Sequence, residues 1–84
     1  MNRKHTISVK IGTRVTLRNV ETEEILTYTL ATPEKADPSV DLISTASPLA
    51  SGILGHKAGE TVSFPLRDDY IVLEILKIEH AGAK

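Results

Sequence analysis

Tyr70-Ile71-Val72-Leu73-Glu74-Ile75-Leu76-Lys77-Ile78 is apolar at every position but Glu74 and Lys77, and this run constrains the fold more than any other. Branched and aromatic residues favour extended backbone. A strand apolar on both faces belongs in the middle of a sheet covered on both sides, or at a pairing interface. The chain has 84 residues, which makes one small domain, and a domain of that size buries only about 60–65% of its unfolded surface. The core is therefore modest, sufficient for a stable fold but not for a deep active-site cavity.

The rest of the chain supplies partners for that strand. Val15 and Leu17 alternate with Thr16 and Arg18 after a turn at Gly12-Thr13, which predicts a half-buried strand. Glu21-Thr22-Glu23-Glu24 interrupts the pattern, and residues 25–31 resume it with Thr, Tyr and branched side chains. The two segments predict an antiparallel hairpin whose acidic tip is a solvated turn. Residues 32–39 hold Pro33 and Pro38 and read as a loop, with extended backbone returning at residues 40–43. Ser47 is placed to cap a helix, and Pro48 fits its first position, where a missing N–H costs nothing. Leu49 and Ile53, with Ala50 and Leu54, form an apolar stripe of two turns, and Gly55 supplies the left-handed residue that ends it. Gly52 weakens such a helix by up to about 1 kcal/mol relative to Ala, so the helix must lean on tertiary packing. After a turn at residues 56–59, Val62 and Phe64 should point inward from another strand, and residues 66–69 turn into the last one. The expected layout is a flexible lead at 1–8, a domain at 9–79 and a loose tail at 80–84. The class is α+β, an antiparallel sheet crossed on one face by one short helix.

Composition narrows function mainly by exclusion. Ten Lys and Arg against eleven Asp and Glu give a net charge of −1, whereas non-specific nucleic-acid binding needs a basic excess to displace counterions. Tyr28, Phe64 and Tyr70 are all the aromatics, too few for a base-stacking platform. Cysteine is absent, which removes disulfides and thiolate metal sites. No apolar run approaches the roughly 20 residues that span a bilayer, and no signal segment follows the basic start. A cytoplasmic protein is expected. His5, His56 and His80 lack a paired spacing that would clamp a metal. Asp68-Asp69 suits a turn. No serine lies in a nucleophile elbow, and Gly55-His56-Lys57-Ala58-Gly59 lacks the context of a phosphate loop. The residues predict no catalytic group, metal or cofactor, and point to a binding module.

Ala36-Asp37-Pro38, Ile43-Ser44, Ser47-Pro48-Leu49, Leu54-Gly55 and Gly59-Glu60 resemble, in order and spacing, the C-terminal domain of the bacterial Gre transcript cleavage factors. The pattern there is an EADP loop, then IS, two residues, SPLG-x-ALLG, and GD a few residues on. Residues 11–17 and 70–75 resemble its opening and closing strands, so the likeness covers roughly residues 9–78. It implies an FKBP-like fold, a twisted antiparallel sheet packed on one short helix. It also implies docking on RNA polymerase near the mouth of the secondary channel. In Gre factors an N-terminal coiled coil carries the acidic residues that help hold Mg²⁺ and promote cleavage of backtracked RNA. Met1 lies only a few residues before the opening strand, so the expectation is a domain that binds, modulates elongation and does not cut.

The resemblance places docking on the loop entering the helix: Thr45, Ala46, Ser47, Pro48 and Leu49, with Ser51 on the exposed side of the helix. Ala46 stands where the pattern usually has Asp, Gly52 where it has Ala, and Ala31-Thr32 where it has Val-Gly. Two other readings remain. A peptidyl-prolyl isomerase is suggested by the similar fold, but three scattered aromatics make its proline pocket hard to build. A self-associating module is suggested by residues 70–78 and by unprotected sheet edges; the sequence does not choose between a monomer and a weak dimer.

Overall fold

The computed structural model describes residues 7–66 and 68–81. Among the described residues five strands form one sheet: β1 (Thr13–Asn19), β2 (Ile25–Ala31), β3 (Leu42–Ser44), β4 (Thr61–Leu66) and β5 (Asp69–His80). Their order across the sheet is β3-β2-β1-β5-β4. The helix α1 (Pro48–Ile53) packs on one face.

The acidic-tipped hairpin forms as the alternation predicts, with Val15 opposite Tyr28 and Leu17 opposite Leu26. Asn19 shapes its tip: Oδ1 accepts hydrogen bonds from Glu21 N at 2.9 Å and Thr22 N at 3.0 Å, a side-chain turn that leaves the three carboxylates exposed. Pairings β1–β2, β1–β5 and β4–β5 are antiparallel, whereas β2 and β3 run parallel. The cause lies in the proline-rich loop. Two 3-10 turns, Pro33–Lys35 and Pro38–Val40, bring the chain back so that β3 starts beside Thr29 and runs with β2.

β5 lies inside the sheet, between β1 and β4, but among the described residues only one of its faces is covered. Leu73 and Ile75 are buried, while Tyr70 is 64% and Leu76 41% exposed. The nearly continuous apolar run comes from a β-bulge. Thr16 pairs with Lys77 and Leu17 with Ile75, leaving Leu76 as an extra residue. The extra residue lets Ile75 and Ile78 both pack on the core despite their odd spacing. The uncovered face carries cross-strand ion pairs, Arg18–Glu74 at 2.9 Å and Arg14–Glu79 at 3.6 Å, of the surface kind that contributes about 0–1 kcal/mol.

The core consists of Val9, Val15, Leu17, Leu30, Ala50, Ile53, Phe64, Leu73 and Ile75. Val9 belongs to it because the chain ahead of β1 is laced to the segment after α1. Val9 N donates to His56 O and Gly55 N to Val9 O, both at 2.9 Å, and Ser8 bridges to Lys57. Of the expected lead, residues 1–6 lie outside the described residues. The expected tail begins too early. β5 continues through Glu79 and His80, which pair with Arg14 and Thr13, and Ala81 N donates to Gly12 O. Backbone pairing with β1 outlasts the apolar pattern by which the strand end is read. Residues 82–84 fall outside the described set.

The sheet edges are better protected than the sequence suggests. β3 is three residues long, and β4 carries Pro65, which has no N–H to offer a further strand.

Candidate docking loop and groove

β3 delivers the chain to α1 through a turn whose backbone donors are already used. Thr45 N donates to Ala31 O at 3.0 Å and Ser47 N to Ser44 O at 2.9 Å. Ala46 N donates to Ser44 Oγ at 2.9 Å. Ser47 is extended at φ −73° and ψ 153°, and its hydroxyl accepts from Ala50 N at 3.2 Å. Pro48 opens the helix as predicted. Satisfied in this way, the loop presents one shape instead of an ensemble. Ser47→Ala should cost about 1 kcal/mol of stability, read as a lower denaturant midpoint with an unchanged m-value; an unchanged midpoint would show that the cap contributes nothing to stability.

The far end of α1 differs in detail from the expected left-handed cap. Leu54 leaves the helix at φ −55° and ψ 132°, Gly55 follows at φ +84°, and His56 N donates to Ile53 O at 3.0 Å. These values describe a type II turn, which needs glycine at its second central position. Leu54 therefore points outward, 37% exposed, instead of completing the apolar stripe. Beyond the turn, His56 Nδ1 donates to Glu60 Oε1 at 2.7 Å. That hydrogen bond, assisted by Lys57 N–H, holds the Glu60 carboxyl below its ordinary value of 4.5.

Beside the loop, on the helix-bearing face, lies an open groove of about 430 Å³. Its walls come from four strands and the helix: Leu26 and Tyr28, Ile43, Phe64 and Pro65, Ile71 and Leu73, closed by Ser47, Pro48 and Leu49. None of these residues is charged. The structure thus unites three of the predicted residues, Ser47, Pro48 and Leu49, in one concave surface. Thr45, Ala46 and Ser51 are not part of its lining. Ala46 and Ser51 are exposed, and Ser51 Oγ turns back to donate to Pro48 O at 3.3 Å. A larger cleft, about 690 Å³, lies by Ile11, Arg14, Lys35 and Val40 and touches none of the six.

Comparison with known proteins identifies what kind of domain presents this loop. Residues 4–80 match the family described as transcription elongation factor, GreA/GreB, C-terminal. The chain belongs to that family. Transcription elongation factor GreA 2 of Lactiplantibacillus plantarum is 37% identical over 73 residues, covering 87% of this chain and 46% of the relative. GreA of Pseudomonas putida is 34% identical over 76 residues, covering 90% and 48%. The chain spans about half the length of the curated relatives it matches. Among solved structures, Gfh1 of Thermus aquaticus superimposes with a TM-score of 0.79 at 25% identity, covering 88% of this chain and 49% of that one. A GreA/GreB elongation factor of Nitrosomonas europaea gives 0.73 at 24% identity, covering 87% and 61%. The fold expected from the resemblance is therefore the fold found, with the parallel β3 making the sheet mixed.

For a GreA/GreB C-terminal domain, the contiguous Ser-Pro motif was legible, but the opposite wall of the groove was not. Sequence marks Leu26, Tyr28, Ile43, Ile71 and Leu73 only as apolar or aromatic members of extended segments. What marks the wall is the half-buried state of Leu26, Tyr28, Ile43 and Ile71, packed against the core yet incompletely covered, around the fully buried Leu73.

Proposed function

We propose that this chain is a non-catalytic RNA polymerase-binding domain that modulates transcription elongation, docking near the secondary channel through the Ser47–Pro48 loop and the groove beside it. The observation that carries this reading is the meeting of two features: the helix-entry loop of a GreA/GreB C-terminal domain opens onto an uncharged apolar groove. Its hydrogen bonds pre-pay the ordering that a flexible loop would lose on binding. The partner surface is an apolar one, since among the described residues neither the groove lining nor Ala46 offers a charge. The domain acts in the cytoplasm, where the polymerase works. No helix among the described residues is long and apolar enough to cross a membrane.

Purified core polymerase and this chain should form a complex in pull-down or fluorescence-anisotropy experiments. Pro48→Ala should weaken it, and the chain should leave cleavage of backtracked RNA unstimulated. Affinity should change little as salt rises from 0.1 to 1 M, a range over which the Debye length falls from about 10 to about 3 Å. Absence of a complex at tens of micromolar sinks the docking claim, and robust cleavage stimulation sinks the non-catalytic one.

One observation favours a second reading, proline isomerisation. Tyr28 and Phe64, which the sequence leaves on separate strands, line the same groove, although Tyr70 is absent from it and 64% exposed. A protease-coupled isomerisation assay separates the two readings: rates at the uncatalysed level retain the docking function alone.

A further inference from the structure

Gly52 stands in the last turn of α1, where glycine is the poorest choice short of proline. Its backbone does not require it, because Gly52 is absent from the positive-φ residues. Its neighbour does. A Cβ at this position would overlap the edge of the Phe64 ring at Cε2, and would stand 2.8 Å from Cδ2 and 3.0 Å from Cζ. Phe64 is only 8% exposed, held between the helix and the sheet. The same residue lines the docking groove together with Ser47, Pro48 and Leu49.

We infer that Gly52 is the positioning residue of the groove: the missing side chain lets the Phe64 ring lie back on the helix, which keeps the groove open to an apolar side chain of the partner. The direction of the effect follows from packing. Ile53 and Leu73 are 0% and 1% exposed, and a close-packed interior has no room to receive a displaced ring. The unfilled volume next to the ring is the groove, so a methyl group at position 52 pushes the ring into it, toward Tyr28 and Leu49. Gly52 and Phe64 are thus one device, and changing either alone alters what the groove admits. The half of this inference that concerns the partner rests on the proposed docking function; the half that concerns the ring does not.

Gly52→Ala, Phe64→Leu and the double variant test it together. Phe64 is the only phenylalanine, so its ring protons are identified in NMR spectra without ambiguity. In Gly52→Ala the ring should gain nuclear Overhauser contacts to Tyr28 and Leu49, and the melting temperature should fall. Polymerase binding should weaken by about tenfold, the range expected of overpacking. With Leu at position 64 the sign reverses. Gly52→Ala should then raise the melting temperature, because the gain in helix propensity is all that remains, and should leave binding unchanged. A merely structural glycine would not give a groove-directed ring shift, or a binding loss relieved by changing residue 64. Equal thermal effects in both backgrounds, an unmoved ring, or undiminished binding by Gly52→Ala would overturn the inference. If Gly52→Ala does not fold, recovery of the fold in the double variant supports the coupling and failure of both refutes it. If the parent chain does not bind polymerase, the docking function fails, while ring position and the sign of the thermal effect still decide the Gly52–Phe64 claim.

Discussion

Ile53→Ala should lower the melting temperature by about 8 °C or more, since a buried Ile-to-Ala change costs about 2–5 kcal/mol and each kcal/mol moves a domain of this size by about 4–8 °C. Ile53 is fully buried, and it closes a helix of six residues. So short a helix has no stability of its own in water. α1 is held by Ala50 and Ile53, its two buried residues, with Leu49 packed partly against the core. Removing most of the Ile53 side chain loosens α1 as a unit. The Ser47 cap and the Pro48 end of the groove then lose their fixed geometry, so polymerase binding should fall further than the fraction unfolded accounts for. Val40→Ala is the matched control: Val40 is 61% exposed, and substitutions at such positions usually stay within about 0.5 kcal/mol. Circular-dichroism melts of the two variants decide the matter. A melting temperature for Ile53→Ala within a few degrees of the parent would show that α1 is held by something other than its buried face.

What the sequence reveals and what it hides divide along the range of the physical signal. The β1–β2 hairpin, the Ser47 cap and the Pro48 start were legible because alternation and capping are encoded within a few residues. The parallel β3 was not, since its direction depends on where two 3-10 turns deliver the chain. Nor was the bulge at Leu76: a run of apolar residues is the same string whether it is covered twice or kinked once. The lacing of Val9 to the segment after α1 runs through backbone atoms, which leave no mark in side-chain pattern. The groove is the clearest case. Tyr28 is on β2 and Phe64 on β4, three strand spacings apart, about 14 Å in a flat sheet. Twist and curl of the sheet around α1 turn both toward one depression, and no local motif encodes that curl. Gly52 shows the same limit at a single position. Sequence marks it as a weak point in a helix, and only the ring of Phe64 against it supplies the reason.

Leu49→Arg should abolish docking while leaving the fold in place. Leu49 is half-buried at the second position of α1 and forms the lip where the Ser-Pro loop meets the groove. An arginine there can run its methylenes along the apolar wall and keep its guanidinium in water, so the free domain tolerates it. In the complex the same guanidinium meets an apolar partner surface in a groove whose lining, among the described residues, holds no carboxylate to pair with it. Burying that charge unpaired costs at least about 2 kcal/mol, equivalent to a loss of roughly thirtyfold in affinity. Thr45→Ala and Ser51→Ala, which change side chains outside the groove lining, should stay within about threefold, since most residues near an interface contribute little. Titration of polymerase with each variant, alongside its thermal melt, separates docking from stability. If Leu49→Arg binds as the parent does while Ser51→Ala or Thr45→Ala loses affinity, the contact lies on the outer side of the loop. The groove beside it would then be a feature of the fold that docking does not use.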